Sequence, residues 1–265
     1  MSTDPFAQFK AMQRESWSTF APHAQLTTKS AARLVQFAEV TSGQSVLDVA
    51  CGTGVVAVTA ARRGAKLKAL DLSPVLLQEA RANAAIARVE VEFVEGDVEA
   101  LPYADASFDV VLSQFGHMFA PRPEVAIGEM LRVLKPGGRI AFSTWPPEHL
   151  VGRLFPILSR YLPPPPGVAP PPAWGDPAIV RERLGAQVRD VVFERGTREV
   201  PVLSPAHYVH WLETTVAPVI KLVADLASRP EELQRLRSEL EALAGDHHED
   251  NVTRETYLMT RATRV

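Results

Sequence analysis

The sequence predicts an α/β fold, a doubly wound, mostly parallel seven-stranded sheet with added helical segments, and three observations carry that expectation. First, Ser45 to Ala60, SVLDVACGTGVVAVTA, passes from a strand-length apolar run through a small-residue turn into an Ala/Val-rich helix. Second, short apolar runs alternate with helical segments as far as Thr144, the pattern of a parallel sheet covered on both faces. Third, acids recur at or near the ends of the first three strands, at Asp48, Asp71 and Asp97. The 265 residues, 46% apolar and 22% charged, suffice for one large domain with a buried core.

Residues 6–40 read as helical, broken at Pro22 and resuming near Thr28, with Trp17 and Phe20 three apart on one face. The strand at 45–49 follows, then the turn 50–54, where Gly52 and Gly54 let a ligand lie against the main chain at a helix N-terminus. Gly64 stops that helix, and a second strand, 66–70, ends in Asp71. Ser73-Pro74 is an N-cap with proline in the first turn, opening a helix to Ala87. Further strands are expected at 89–94, 108–113 and 139–144, the last two joined by a helix from Pro123 to Leu134. Parallel strands with right-handed crossovers place their C-terminal loops on one edge, where ligand chemistry belongs.

Beyond Trp145 the run PPPPGVAPPP is too proline-rich for helix or central strand and reads as a stiff surface connector. Asp176-Pro177 starts a helix to Leu184, a sixth strand covers 188–194, and 257–261 forms the last strand. Between them 205–245 is helical, with a capping box from Ser228 and Glu231 and a leucine face at Leu233, Leu236, Leu240 and Leu243, a core face or a dimer contact. The expected organisation is one domain, 1–265. It divides into a helical cover (1–40), a cofactor-binding core (41–145), a Pro-rich insertion (146–175) and a helical lid (205–245).

A net charge of −3 without a basic cluster disfavours a nucleic-acid partner. The single cysteine, Cys51, excludes an intrachain disulfide and packs inside the glycine turn. The N-terminus carries acids and no long apolar run, so neither a signal peptide nor a membrane span is expected, and the cytoplasm is the expected compartment. No metal is expected: His247-His248-Glu249-Asp250 reads as a solvated loop, and no paired ligand spacing occurs elsewhere.

Gly52 to Ala57 also fits GxGxxA, so the loop alone leaves a nicotinamide or flavin dinucleotide open, with Asp71 serving a ribose in either case. The wider set is more specific. VLDVACGTG, ALDLSP, VEGDVEALPYADASFDVVLS and EMLRVLKPGGRIAFSTW together resemble the class I S-adenosylmethionine-dependent methyltransferases, with their Rossmann-like fold, and within them the ubiquinone/menaquinone C-methyltransferase-like small-molecule branch. The resemblance covers residues 40 to 145.

It implies S-adenosyl-L-methionine as cofactor, with Asp48 and the turn Ala50, Cys51, Gly52, Thr53 and Gly54 holding the methionine part. It further implies Asp71 on the ribose hydroxyls with Leu72 beside the adenine, Asp97 and Val98 at the adenine amino group and ring edge, and Ser113 and Gln114 at the amino-acid end. Ala50 departs from the usual first glycine, which implies a slightly tighter fit. His117 is the candidate general base by its place in the loop after the fourth strand. Trp17, Phe115, Trp145, Tyr208 and Trp211 are candidates for lining a pocket for a small, largely apolar acceptor methylated by in-line displacement. The alternatives are a cofactor-binding regulatory protein without methyl transfer, and an RNA or protein methyltransferase. Against the latter stands Ser113-Gln114-Phe115-Gly116, where an Asn-Pro-Pro-Tyr-like tetrad belongs.

Overall fold

A computed structural model of the chain describes residues 4–17, 21 and 24–265. The expected break at Pro22 and the face position of Phe20 lie outside those residues. Helix α1 (Ala7–Ser16) precedes α2 (Ala24–Phe37), which begins earlier than Thr28. The core then runs β1 (Ser45–Val49), α3 (Val55–Ala61), β2 (Lys66–Asp71), α4 (Pro74–Ala87), β3 (Val91–Glu95), β4 (Phe108–Gln114), α5 (Pro123–Val133) and β5 (Leu134–Thr144). The remainder comprises α6 (Leu150–Ser159), α7 (Pro177–Leu184), β6 (Val188–Pro201), α8 (Pro205–Thr215), α9 (Ala217–Asp225), α10 (Pro230–Gly245), β7 (His248–Glu249) and β8 (Val252–Arg264).

The strands form one sheet in the order β3-β2-β1-β4-β5-β8-β6, with the two-residue β7 added beside β8. Strands β1 to β5 pair in parallel and β8 runs against both β5 and β6. This is the doubly wound α/β architecture, with the strand order reversing between β1 and β4, so that a crevice opens above their C-terminal ends. Right-handed crossovers put α3 and α4 on one face and α5 on the other. Val46, Leu47, Val49, Val110, Val111, Leu112, Ile140 and Phe142 fill the centre with essentially no exposure. As expected, the Ser73 side chain caps α4, accepting from the Leu76 N–H.

One local expectation is corrected, and two segments gain detail. The capping box does not form: Pro230, with its fixed φ, takes the first helical position, so Arg229 becomes the N-cap and makes no side-chain cap bond. The stretch 205–245 is helical as expected and comprises three helices, because Pro218 and Pro230 each restart the chain at a first turn. Within 146–175, α6 is an apolar helix that tolerates Pro156 inside it.

Strand β8 pairs with β5 only as far as Leu258, so residues 252–257, with 196–201 of β6, run on past the end of β5. Helices α8 to α10, with α6, stand on this two-stranded extension and have their own core, built from Leu150, Leu154, Val209, Leu212, Leu222, Leu236, Leu240 and Leu243. The extension also carries buried charge. Arg198 pairs with Glu255 directly across the ladder, and the Tyr208 hydroxyl of α8 donates to the other Glu255 oxygen at 2.6 Å. Replacing Glu255 by alanine strands both groups and should cost about 3–5 kcal/mol in urea unfolding. Removing Glu199 from its exposed pair with Lys29 should cost less than about 1 kcal/mol.

Candidate functional site

The turn after β1 departs from ordinary backbone at Ala50, Gly52 and Gly54, with φ of 53°, 54° and 77°. A Cβ on Gly52 would project into open space, whereas Ala50 carries its methyl in the left-handed region at a cost of about 1 kcal/mol. Gly116, in the turn after β4, accommodates that methyl: a Cβ there would lie 2.5 Å from the Ala50 Cβ and 2.7 Å from its carbonyl oxygen. Gly116 thus leaves the room that the Ala50 methyl occupies. The loop is pinned from β2. Cys51 N–H donates to the Leu70 carbonyl at 3.0 Å, and Gly52 N–H to Asp71 Oδ2 at 2.7 Å. Asp71 Oδ1 accepts the Ser73 N–H at 2.8 Å, and the Asp71 carbonyl accepts the Gly96 N–H at 3.0 Å, which ties in the end of β3. Thr53 is buried, its carbonyl accepting from Asn83 Nδ2. Burial pushes the Cys51 thiol well above its usual range, so it packs as an inert side chain.

Asp48 is fully buried, with Oδ2 accepting the Ala57 N–H at 3.0 Å and Oδ1 without a partner. Burial raises its pKa well above the usual range, only partly offset by that hydrogen bond, and Asp71 raises it further. An orphaned carboxylate oxygen under the loop is what a ligand's ammonium group would satisfy. Asp71 is raised by burial too, tempered by its backbone donors. Leu72 and Val98 are half-buried beside these strand ends. Asp97 accepts the Glu99 N–H at 2.9 Å and pairs with Lys10 of α1 at 2.6 Å. Acid residues, loop and strand ends therefore converge on the edge where the residues present fit an S-adenosylmethionine.

The segment after β4 behaves differently from expectation. Ser113 is fully buried; its hydroxyl donates to the Val49 carbonyl at 2.8 Å and accepts the His117 N–H at 3.2 Å, so its side chain serves the β1–β4 junction. Gln114 donates to Ser30 Oγ of α2 at 2.8 Å. His117 is corrected as a general base. Its ring is fully buried between Phe142 and Trp174, 4.6 and 4.8 Å between centroids, and neither ring nitrogen has a partner. Phe142 alternates with Ser143 along β5, so this packing lies on the face opposite Trp145. Burial, with Arg183 nearby, pushes the imidazole down to about 3.

The acceptor candidates divide. Phe115 holds φ at 59°, a rare conformation for a bulky residue, and its ring stacks on Trp145 at 4.1 Å and 7° between planes. Tyr257 meets both rings edge-on. Gly196 makes room for Tyr257, since a Cβ there would overlap its ring. The Arg198 guanidinium lies over Trp145 at 5.0 Å. Trp17 packs on Phe119 at 4.7 Å between centroids. Tyr208, 1% exposed, and the half-buried Trp211 belong to the separate core of α6 and α8 to α10. Tyr257, Arg198, Glu255 and Lys10 escape the sequence: Tyr257 only opens the expected last strand, the strands extend beyond their apolar runs to include Arg198 and Glu255, and Lys10 looks like an ordinary surface residue of α1. Among the described residues Asp4, Asp97 and Glu99 converge as a metal-like trio, but the Lys10 ammonium sits within 2.6 Å of each. Surface cavities of about 680 and 560 Å³ lie at the starts of β2 and β3 and of β1, β2 and β4, the edge away from these residues.

His117 gives the molecule an acid-side weakness. The folded state keeps it neutral down to about pH 3 while the unfolded chain protonates near 6.5, so stability falls as pH drops between those values. His117→Phe should therefore gain stability relative to the parent by about 2 kcal/mol more at pH 5 than at pH 8, read from urea unfolding at both.

Comparison with known proteins agrees with this geometry. Residues 47–142 match the family described as Methyltransferase domain. An uncharacterized protein of Mycobacterium tuberculosis is 35% identical over 233 residues, covering 87% of this chain and 85% of that one. The demethylmenaquinone methyltransferase of Renibacterium salmoninarum is 44% identical over 101 residues, 38% of this chain and 41% of that one. The YcgJ protein of Bacillus subtilis has the same fold, with a TM-score of 0.62 at 19% identity over 89% of this chain and 98% of that one. The dinucleotide alternative left open by the glycine turn is thereby closed, and the chain belongs to the class I S-adenosylmethionine-dependent methyltransferases.

Proposed function

We propose that this enzyme methylates a small, largely apolar molecule held between the Phe115–Trp145–Tyr257 cluster and the helical lid. The observation that carries this is the stack itself. Phe115 directly follows β4 and precedes Gly116, whose backbone touches Ala50 of the glycine loop, so an aromatic wall stands next to the loop. Aromatic faces favour flat or apolar ligands, and the charged neighbours Arg198 and Glu255 neutralise each other.

Bound S-adenosylmethionine supplies a sulfonium-activated methyl group. The chain's own contribution is alignment and exclusion of water. Asp48 would accept from the cofactor ammonium, Asp71 from the ribose hydroxyls and Asp97 from the adenine amino group, while the stack orients the acceptor. His117, neutral and enclosed, takes no proton. That favours an acceptor atom that attacks without a protein base.

Incubating a small-molecule extract with enzyme and methyl-labelled cofactor should put the label into an apolar low-mass product, and Trp145→Ala should lower its formation roughly 10-fold or more. Label found in protein or RNA instead would refute the acceptor class. Cofactor binding should also release a proton. Burial raises the Asp48 pKa in the free protein and a neighbouring ammonium would lower it, so affinity should fall as pH drops. Calorimetry in buffers of different ionisation enthalpy reads that proton, and Asp48→Asn should remove it.

A further inference from the structure

We propose that Lys10, on the N-terminal helix α1, is a positioning residue of the cofactor site: it fixes the carboxylate of Asp97 so that the enzyme recognises the 6-amino group of the adenine. The proposal rests on the assignment of Asp97 to that amino group. Lys10 Nζ lies 2.6 Å from Asp97, 2.5 Å from Glu99 and 2.6 Å from Asp4, and the residue is only 8% exposed.

The three acids are not equivalent. Glu99 is saturated: Lys10, the Arg122 guanidinium at 2.6 and 2.9 Å and the Arg122 N–H at 2.6 Å all meet its carboxylate. Asp4 accepts the Phe6 N–H and Lys10, with Arg122 at 3.3 Å. Asp97 has one oxygen on the Glu99 N–H and the other on Lys10, and its side chain keeps 26% exposure at the end of β3. Its orientation is thus set by two donors, of which only Lys10 can be altered without changing the backbone. Without Lys10, three clustered carboxylates would share the single Arg122 charge, and repulsion would turn the most weakly held of them, Asp97, towards water.

The rest of α1 docks independently of Asp97. Arg14 pairs with Glu95 at 2.6 Å, and Gln13 Nε2 donates to the Phe119 carbonyl at 3.0 Å. Positioning by Lys10 can therefore be separated from mere attachment of the helix.

The test compares binding of S-adenosylhomocysteine and S-inosylhomocysteine, which has oxygen in place of the 6-amino group, by calorimetry on the full chain. The parent should prefer the adenosyl compound. Lys10→Met should weaken the adenosyl compound about tenfold and the inosyl compound less than about twofold, so the preference collapses. Lys10→Arg should restore most of it, Arg14→Ala should leave it unchanged, and Lys10→Met should add nothing in an Asp97→Ala background. Equal weakening of both compounds by Lys10→Met, or the same collapse from Arg14→Ala, would show that Lys10 only attaches the helix and would overturn the proposal. A parent without any preference would instead refute the assignment of Asp97 to the amino group.

Discussion

The Asp71 carboxylate is the joint on which the site depends. One oxygen holds the Gly52 N–H and the other the Ser73 N–H, while the residue's own carbonyl takes the Gly96 N–H. A single residue at the end of β2 thus fixes the loop after β1, the start of α4 and the turn after β3. Backbone donors partly offset what burial costs its charge. The ladder brings the strand ends level, Asp71 opposite Glu95 and Val49 opposite Leu70, and Asp71 turns that alignment into a rigid rim.

The same rim carries conformational and electrostatic strain. Ala50 and Phe115 occupy left-handed backbone there, and Asp48 keeps an unpartnered buried oxygen beneath it. A buried ion pair with a tyrosine hydroxyl ties α8 to the strand extension. None of these improves a fold for its own sake, since an apolar replacement of a buried ion pair is often neutral or stabilising. Ala50, Asp48 and Phe115 lie at the ends of β1 and β4, where the reversal of strand order opens the crevice. Among the described residues no helix is long and apolar enough to cross a membrane.

Much of the core was legible because its signals are local. Strand periodicity, the Ser73-Pro74 cap and the glycine turn each act within a few residues, and they placed β1 to β4 closely, whereas β5 starts at Leu134, ahead of the expected Arg139. What escaped depends on contacts distant in sequence. The long arms of β6 and β8 carry charged and polar residues such as Arg198 and Glu255, which pair only once the arms stand side by side. Position after β4 suggested a role for His117, but Trp174, from the proline-rich segment, closes over its ring. Lys10 acquires its meaning from Asp97 and Glu99, nearly ninety residues away. The capping box failed because Pro230 claimed the helix start more strongly than Ser228.

The proposed seat of the cofactor is the rim built by the glycine loop and the acids at the strand ends. Amide hydrogen exchange of the full chain, with and without saturating S-adenosylmethionine, reads that seat. Binding there should add protection at residues 50–54, 71–73 and 96–99, with no change at 65–67 or 89–92 along the opposite edge. Protection confined to that opposite edge, or a rim left unchanged at saturation, would contradict it.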